Sequence, residues 1–355
     1  MKHLTNTITY TDKPSLRLLE YLKEKEYSSF YILTDENTSK HCLPLLAKSK
    51  RALLKCNFII NSGEHNKNIQ TIEQIWQFLH NQNADRKSLL INLGGGQVCD
   101  LGGFAAGTYK RGIDYINIPT TLLSMADAST GGKTGFNFSG MKNEIGMFYK
   151  PVETIIFTGF LNTLDITQIK SGFAEMLKHG LIADEKYWRT LLKNIPENHK
   201  NISNFNSLIK KSVAIKNSVV NKDPYEKNLR KVLNFGHTAG HAIESYLIEK
   251  KMRVLHGYAV AWGMAVEARL SLLKKNLPEK KFLSIQHSIF SIYGKPPISI
   301  KDYKKIASLT IKDKKNEAQQ INVSLLNGIG SCQINCQCSI DEIIKAMKDI
   351  YAERA

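Results

Sequence analysis

Residues 91–151 read INLGGGQVCDLGGFAAGTYKRGIDYINIPTTLLSMADASTGGKTGFNFSGMKNEIGMFYKP. The stretch holds three glycine clusters (Gly94-Gly95-Gly96, Gly102-Gly103, Gly131-Gly132), the acids Asp100 and Asp127, and the cations Lys110, Arg111, Lys133 and Lys142. Just before the first cluster, Ser88–Leu93 is a short apolar run opening into a turn, the pattern of a buried parallel strand. The spacing predicts a helix beginning near Asp100. Glycines at such a turn let the backbone approach a pyrophosphate, and the free N–H groups and dipole of the next helix favour its charge. An ordinary strand-to-helix turn reads the same way, because the dinucleotide fingerprint needs a glycine at position 99, where Cys99 stands.

A second strand, Tyr115–Ile118, runs into Pro119-Thr120-Thr121, whose hydroxyls either reach a ribose or phosphate or cap a helix. Thr130–Thr134 imitates the end of a phosphate-binding loop, but Asp127 occupies the place of the required upstream glycine. What remains is a glycine turn carrying Lys133, followed by Lys142-Asn143. Lysines bracketed by glycines suit a bound anion as well as solvent.

Upstream, Phe30–Thr34 ends at Asp35-Glu36-Asn37, and Ala52–Ile60 ends at Ser62–Lys67. A helical pattern then follows through Ile69, Ile72, Ile75, Trp76 and Leu79. Strands alternating with helices predict a Rossmann-like α/β domain whose parallel sheet holds its ligand off the strands' C-terminal ends. Asp35, Asn37, Glu64 and Lys67 fall on that edge, where turn and capping duties are the alternative. After Phe160 the texture becomes helical. The expected division is an α/β nucleotide-binding domain over residues 1–160 and a mostly α-helical metal- and substrate-binding domain over 161–355.

In the second half, Ser171–Gly180 sets Glu175, Lys178 and His179 on one helical sector, which a solvent-side pairing also produces. An amphipathic basic segment, Ser203–Val220, carries Lys216. His237 and His241 stand at i and i+4, spacing that lets two helical histidines chelate one metal or simply satisfy each other, and His256 is a third candidate at a turn. Ile311–Lys315 precedes a strand-like Ile321–Leu326, and Asp341–Tyr351 reads as a helix packing on the body through Ile343, Ile344, Met347 and Ile350.

The 355 residues carry 49 lysines and arginines against 32 acids, a net charge of +17. A basic face attracts nucleic acid, but no helix-turn-helix, zinc finger or aromatic RNA motif accompanies it, so no nucleic-acid partner is expected. Neither a signal sequence nor a run of membrane-span length is read, and the expected setting is the cytoplasm with no membrane partner. Cys332, Cys336 and Cys338 (C-x3-C-x-C) lack a fourth metal ligand; with Cys42, Cys56 and Cys99 they read as reduced thiols, and Cys336 and Cys338 as strand packing residues.

Taken together, residues 94–112, 118–151, SGFAEMLKHGLI (171–182) and LRKVLNFGHTAGHAIE (229–244) resemble the 3-dehydroquinate synthase family of sugar phosphate cyclases, in order and spacing from about Leu33 to Gly330. The resemblance implies NAD held by Asp35, Asn37, Glu64, Lys67, Gly95, Gly96, Val98, Asp100, Thr120, Thr121 and Thr163, with Asp127, Lys133 and Lys142 beside it. It implies zinc, or cobalt, on Glu175, His237 and His256, which moves His241 from metal to substrate. Lys133, Asn143 and His241 are implied at the substrate phosphate, with Arg111 reaching there across a homodimer; Lys178, Lys216, Arg230 and Asn234 at its carboxylate and hydroxyls; Lys142 beside the nicotinamide; Asp127 near metal and substrate; and Lys314 or Lys315 also at the substrate.

The implied substrate is a phosphorylated sugar acid, 3-deoxy-D-arabino-heptulosonate 7-phosphate. Its C5 hydroxyl is oxidised by NAD while zinc polarises the developing carbonyl, the C6 proton becomes acidic, and phosphate leaves by elimination. Hydride then returns and an aldol reaction closes the ring to 3-dehydroquinate. Two positions depart from the pattern: Asn228, where glycine is usual and positive φ is expected to be tolerated, and Ala128, where serine is common. Cyclases of other sugar phosphates, a polyol dehydrogenase of the same plan and a basic binding protein are the competing readings.

Overall fold

The computed structural model describes residues 7–47, 56–139, 141–198, 202, 205–312 and 321–351. The chain divides into two compact units, Met1–Asp165 and Ile166–Ala355. In the first, the elements run β1 (Thr7–Tyr10), α1 (Pro14–Glu24), β2 (Phe30–Asp35), α2 (Glu36–His41), α3 (Leu43–Leu46), β3 (Asn57–Ile60), α4 (Ile69–Asn81), β4 (Leu89–Gly94), α5 (Gly96–Thr108), β5 (Asp114–Pro119), β6 (Lys133–Phe138), β7 (Met141–Phe148) and β8 (Glu153–Ile156). Six of the strands form one parallel sheet in the order β1-β8-β5-β4-β2-β3. β4 is buried at every residue, as a strand covered on both faces must be. Ile72, Ile75 and Leu79 of α4 and Leu101, Ala105 and Ala106 of α5 close one core with Leu33, Leu90 and Tyr115 of the sheet.

The connection from β2 steps outward to β3, and the next returns across β2 to β4, from which the chain continues the other way to β5. The crevice between the carboxyl ends of β2 and β4 is therefore the switch point, where open α/β sheets take their ligands.

Three details differ from the sequence reading. α5 begins at Gly96, ahead of Asp100, because Gly95 serves as its N-cap. Lys133 opens a strand and does not lie in a turn: β6 and β7 form an antiparallel ribbon carrying Lys133, Lys142 and Asn143. β1 and β8 went unanticipated because each has only four residues and β1 carries no apolar run. Of the strand expected over 52–60, Asn57–Ile60 is β3 and residues 52–55 lie outside the described residues.

The second unit contains α6 (Ile166–Ala183), α7 (Glu185–Leu192), α8 (Phe205–Lys222), α9 (His237–Glu249), α10 (His256–Leu273), α11 (Glu279–Tyr293), α12 (Tyr303–Leu309), the hairpin β9 (Ile321–Gly328) and β10 (Ser331–Cys338), and α13 (Ile340–Tyr351). α10 is buried along nearly its whole length, and α6, α9, α11 and α13 pack around it. A helix apolar on all sides belongs at the centre. α13 contributes one face, with Ile343, Ala346, Met347 and Ile350 buried and Ile344 only partly covered. All six cysteines are free thiols; burial pushes Cys338 up to about 12 and raises Cys332 and Cys336 as well. Among the described residues no helix is long and apolar enough to cross a membrane.

At one edge of the sheet the carboxylate of Glu153, 1% exposed, takes two hydrogen bonds from Arg17 of α1 at 2.8 and 2.9 Å and one from Thr9 of β1 at 2.6 Å. Arg17→Ala leaves that charge without its counter-ion. The expected loss is about 3 kcal/mol of stability, read as a fall in the urea midpoint; an unchanged midpoint refutes it.

Candidate functional site

In the first unit the residues assigned to a cofactor follow the carboxyl ends of parallel strands: Asp35 and Asn37 after β2, Glu64 and Lys67 after β3, Gly95 and Gly96 after β4, Thr120 and Thr121 after β5, Thr163 after β8. Their local duties differ. Asp35 forms a capping box with Thr38, accepting its N–H at 2.7 Å, and Asn37 lies exposed in the first turn of α2. Thr121 is likewise a cap, accepting the N–H of Ser124 at 3.1 Å. Thr163 donates to Phe160 O at 2.7 Å. Val98 is wholly buried, its side chain filling the space beside Gly94, so only its backbone N–H is available to a ligand. Among the described residues Thr120 Oγ1, which is buried, has no hydrogen-bond partner.

α5 opens with no side-chain cap, and its first helical bond runs from Cys99 N–H to Gly95 O. The N–H groups of Gly96, Gln97 and Val98 have no intrahelical acceptor, and together with the helix dipole they suit a pyrophosphate. A side chain at Gly96 would meet only Ala128 Cβ, at 3.5 Å, so alanine at 128 leaves the turn open. These features fit a dinucleotide.

Lys67, 4% exposed, is the hub beneath this edge. Its ammonium pairs with Asp100 at 2.5 Å and donates to Asn143 Oδ1. Burial works against its charge, but Asp100 and Glu64 more than offset that and hold the ammonium above its ordinary value. Asn137 fastens the β6–β7 ribbon to the same point: its N–H donates to Lys67 O at 2.8 Å, its amide to Glu64 Oε1 at 2.9 Å, and its Oδ1 accepts Asn143 N–H at 2.8 Å. Asn143 has φ of 50°, which asparagine tolerates. Lys133 is exposed and Lys142 partly so, and Arg111 is exposed at φ of 70°. Asp127 sits in a π-helical turn, Ser124–Ala128, a feature frequent at functional sites and invisible to periodicity.

In the second unit Glu175 of α6 is 1% exposed. Oε1 lies 3.5 Å from His237 Nε2 and 3.9 Å from His256 Nε2. Oε2 touches Lys178 Nζ as a buried ion pair, yet among the described residues neither oxygen has a partner in hydrogen-bonding geometry. His237, His241 and His256 cluster with ligand atoms within 4.8 Å of one another. The structure thus gathers both the i, i+4 histidine pair and the Glu175–His237–His256 set. A tetrahedral ion with bonds of about 2.0–2.1 Å keeps its ligand atoms about 3.3–3.4 Å apart, and the Glu175 contacts come close to that. A buried carboxylate with open lone pairs beside imidazole nitrogens fits a divalent metal.

Lys178, which meets Glu175, and also Lys216 of α8 and Arg230 are each 4% exposed or less. Arg230 is held by a loop in which Asp223 accepts the N–H groups of Lys227, Asn228 and Arg230 at 2.7–3.0 Å, while Arg230 donates to Pro224 O at 2.7 Å. The tolerance of asparagine for positive φ is not called on at Asn228. Asn228 has φ of −140°, because Asp223 turns the chain there, and the left-handed residue is Glu226 at 57°. Glu226 accepts from Asn234 Nδ2 at 2.7 Å. Lys314 and Lys315 lie outside the described residues.

Sequence reasoning passed over Glu226, Asn137, Glu244, which faces His256 Nδ1 at 3.5 Å, and Ser212, which pairs with His179 Nδ1 at 2.6 Å. Only Glu244 left a signal, as the lone acid in the first two turns of α9.

Residues 57–171 match the family model described as 3-dehydroquinate synthase N-terminal and residues 172–316 that described as 3-dehydroquinate synthase C-terminal. A 3-dehydroquinate synthase of Parabacteroides distasonis is 43% identical over 337 residues, covering 95% of each chain. Among solved structures, 2-deoxy-scyllo-inosose synthase complexed with carbaglucose-6-phosphate, NAD+ and Co2+ superposes with a TM-score of 0.84 at 23% identity over 96% of each chain. A 2-epi-5-epi-valiolone synthase from Streptomyces hygroscopicus with NAD+ and Zn2+ bound gives 0.83 at 23%, over 99% of this chain and 98% of that one. At such identity the two structures establish the fold.

Burial tends to lift the Asp223 carboxyl, and its three backbone donors hold it below the ordinary value nonetheless. The loop's contribution is therefore present above the unfolded aspartate value of about 3.9 and lost as pH falls through the lower folded one. Hydrogen-exchange protection, relative to the free amide at the same pH, at Asn228 and Arg230 is expected to fall as pH drops below about 4, and in Asp223→Asn to be low already at neutral pH. Wild-type protection in that variant counts against the loop's dependence on the carboxylate.

Proposed function

This chain belongs to the 3-dehydroquinate synthase family of sugar phosphate cyclases, and from that we propose that it converts 3-deoxy-D-arabino-heptulosonate 7-phosphate to 3-dehydroquinate and phosphate. The observation that carries the reading is Glu175, a carboxylate taken out of water and set against His237 and His256. The proposed cofactors are NAD and a divalent ion, zinc or cobalt. When bound they supply a reversible hydride acceptor and Lewis acidity toward a substrate hydroxyl.

The protein's own part is positioning and charge. In the first unit Lys133 and Asn143 take the phosphate and Lys142 stands by the nicotinamide; the Lys67–Asp100–Asn143 network keeps the ribbon in register for this. In the second unit Lys178, Lys216, Arg230 and Asn234 take the carboxylate and hydroxyls and His241 serves the substrate. Cations already buried in the fold stabilise an anion without reorganising when it arrives. Asp127 assists near the reacting carbon. The departing phosphate's own oxygen accepts the C6 proton, which dispenses with a separate protein base. Phosphate elimination makes the enzyme a carbon–oxygen lyase. It works as a cytoplasmic homodimer in which Arg111 serves the neighbouring subunit; sedimentation at a monomer's rate refutes that arrangement.

Purified protein given NAD, zinc and the heptulosonate phosphate is expected to release inorganic phosphate without net NADH, and to stop on chelation. Net NADH with a simple polyol would instead mark a dehydrogenase. Glu175→Ala and His237→Ala are expected to abolish metal-dependent release; full turnover after complete loss of zinc would refute the assignment. Lys216→Met removes one charge-assisted hydrogen bond and should lower kcat/KM about 10–100-fold.

A further inference from the structure

α9 and α10 approach so closely that a side chain at Gly263 would stand 2.0 Å from Gly236 O. Gly236 itself turns into α9 with φ of 80°. Through this contact Glu267 of α10, fully buried, reaches the start of α9, accepting the N–H of Gly236 at 2.6 Å and of Ala239 at 3.2 Å. Those donors flank His237, the first residue of α9, and the carboxylate meets the positive end of the helix dipole. The converse contact runs the other way. Glu244 of α9, 3% exposed, faces Nδ1 of His256, the first residue of α10, at 3.5 Å. This leaves Nε2 of His256 directed at Glu175.

We infer that Glu267 and Glu244 form a reciprocal clasp in which each helix lends one buried carboxylate to the other's N-terminus, and that the clasp positions His237 and His256 for a divalent ion. An acid at position 267 lies in a helix that is otherwise buried apolar surface at its centre, and an apolar side chain there would be easier to bury. What the acid adds is direction: it fixes where the first turn of α9 begins. Glu244 sets the tautomer and ring angle of His256, as a carboxylate behind a metal-ligating imidazole does. Both are positioning residues.

The inference rests on the metal-site reading, and a titration with Co2+ alone separates the two. Chelator-stripped wild type, Glu267→Gln and Glu244→Gln are titrated while the visible absorption of bound cobalt and the thermal midpoint are recorded. Wild type is expected to take up one equivalent. Both variants should bind about 10–100-fold more weakly, with an altered cobalt band. If both variants bind with wild-type affinity and spectrum, whatever their thermal midpoints, the clasp is overturned while the metal site stands. If wild type itself shows no histidine-type cobalt band, the metal-site reading falls and the clasp with it. Should Glu267→Gln not fold, Glu244→Gln decides alone, and wild-type binding in that variant overturns the proposal.

Discussion

A charge withdrawn from water has to be met by another charge or by aimed hydrogen bonds, and that constraint organises both units. Glu153 is met by Arg17, Lys67 by Asp100, Glu175 by Lys178, and Glu267 by the N-terminus of α9. Where the match is complete, as at Glu153, the result is architecture. Glu175 is matched in charge but, among the described residues, not in hydrogen-bond direction, and it is this mismatch beside imidazole nitrogens that suits a divalent ion.

The first unit arrives at its site by topology. Parallel strands present all their carboxyl ends to one edge, so turns far apart in sequence become neighbours there. The reversal of strand order between β2 and β4 opens the crevice, and an uncapped α5 supplies N–H groups beside it. The β6–β7 ribbon is an addition to this plan. It stands outside the six-stranded sheet and is held through Asn137 to Lys67 and Glu64, which gives its cations a defined place.

Membership of the 3-dehydroquinate synthase family rests on matches along most of the chain; no single motif would have carried it. GGG alone leaves an ordinary turn open, and two histidines four apart point to a chelating pair that the resemblance replaces with Glu175, His237 and His256. His256 is far from both in sequence, and Glu175 farther still. Several residues assigned to the cofactor turn out to hold local jobs as well: Asp35 and Thr121 cap helices, and Thr163 closes a turn.

The alternation of apolar runs with glycine turns was enough, by itself, to predict the parallel sheet, β4 and the helical second half, because backbone hydrogen bonding and the period of side-chain burial are local properties that spacing records. The ribbon, the short edge strands and the π-turn at Asp127 were decided only by tertiary structure, which also brings together Glu175, His237 and His256, a set that the family resemblance implied and spacing did not. Each depends on partners from separate segments whose apolar surfaces have to be buried before their polar groups can meet, and no local pattern registers such a meeting.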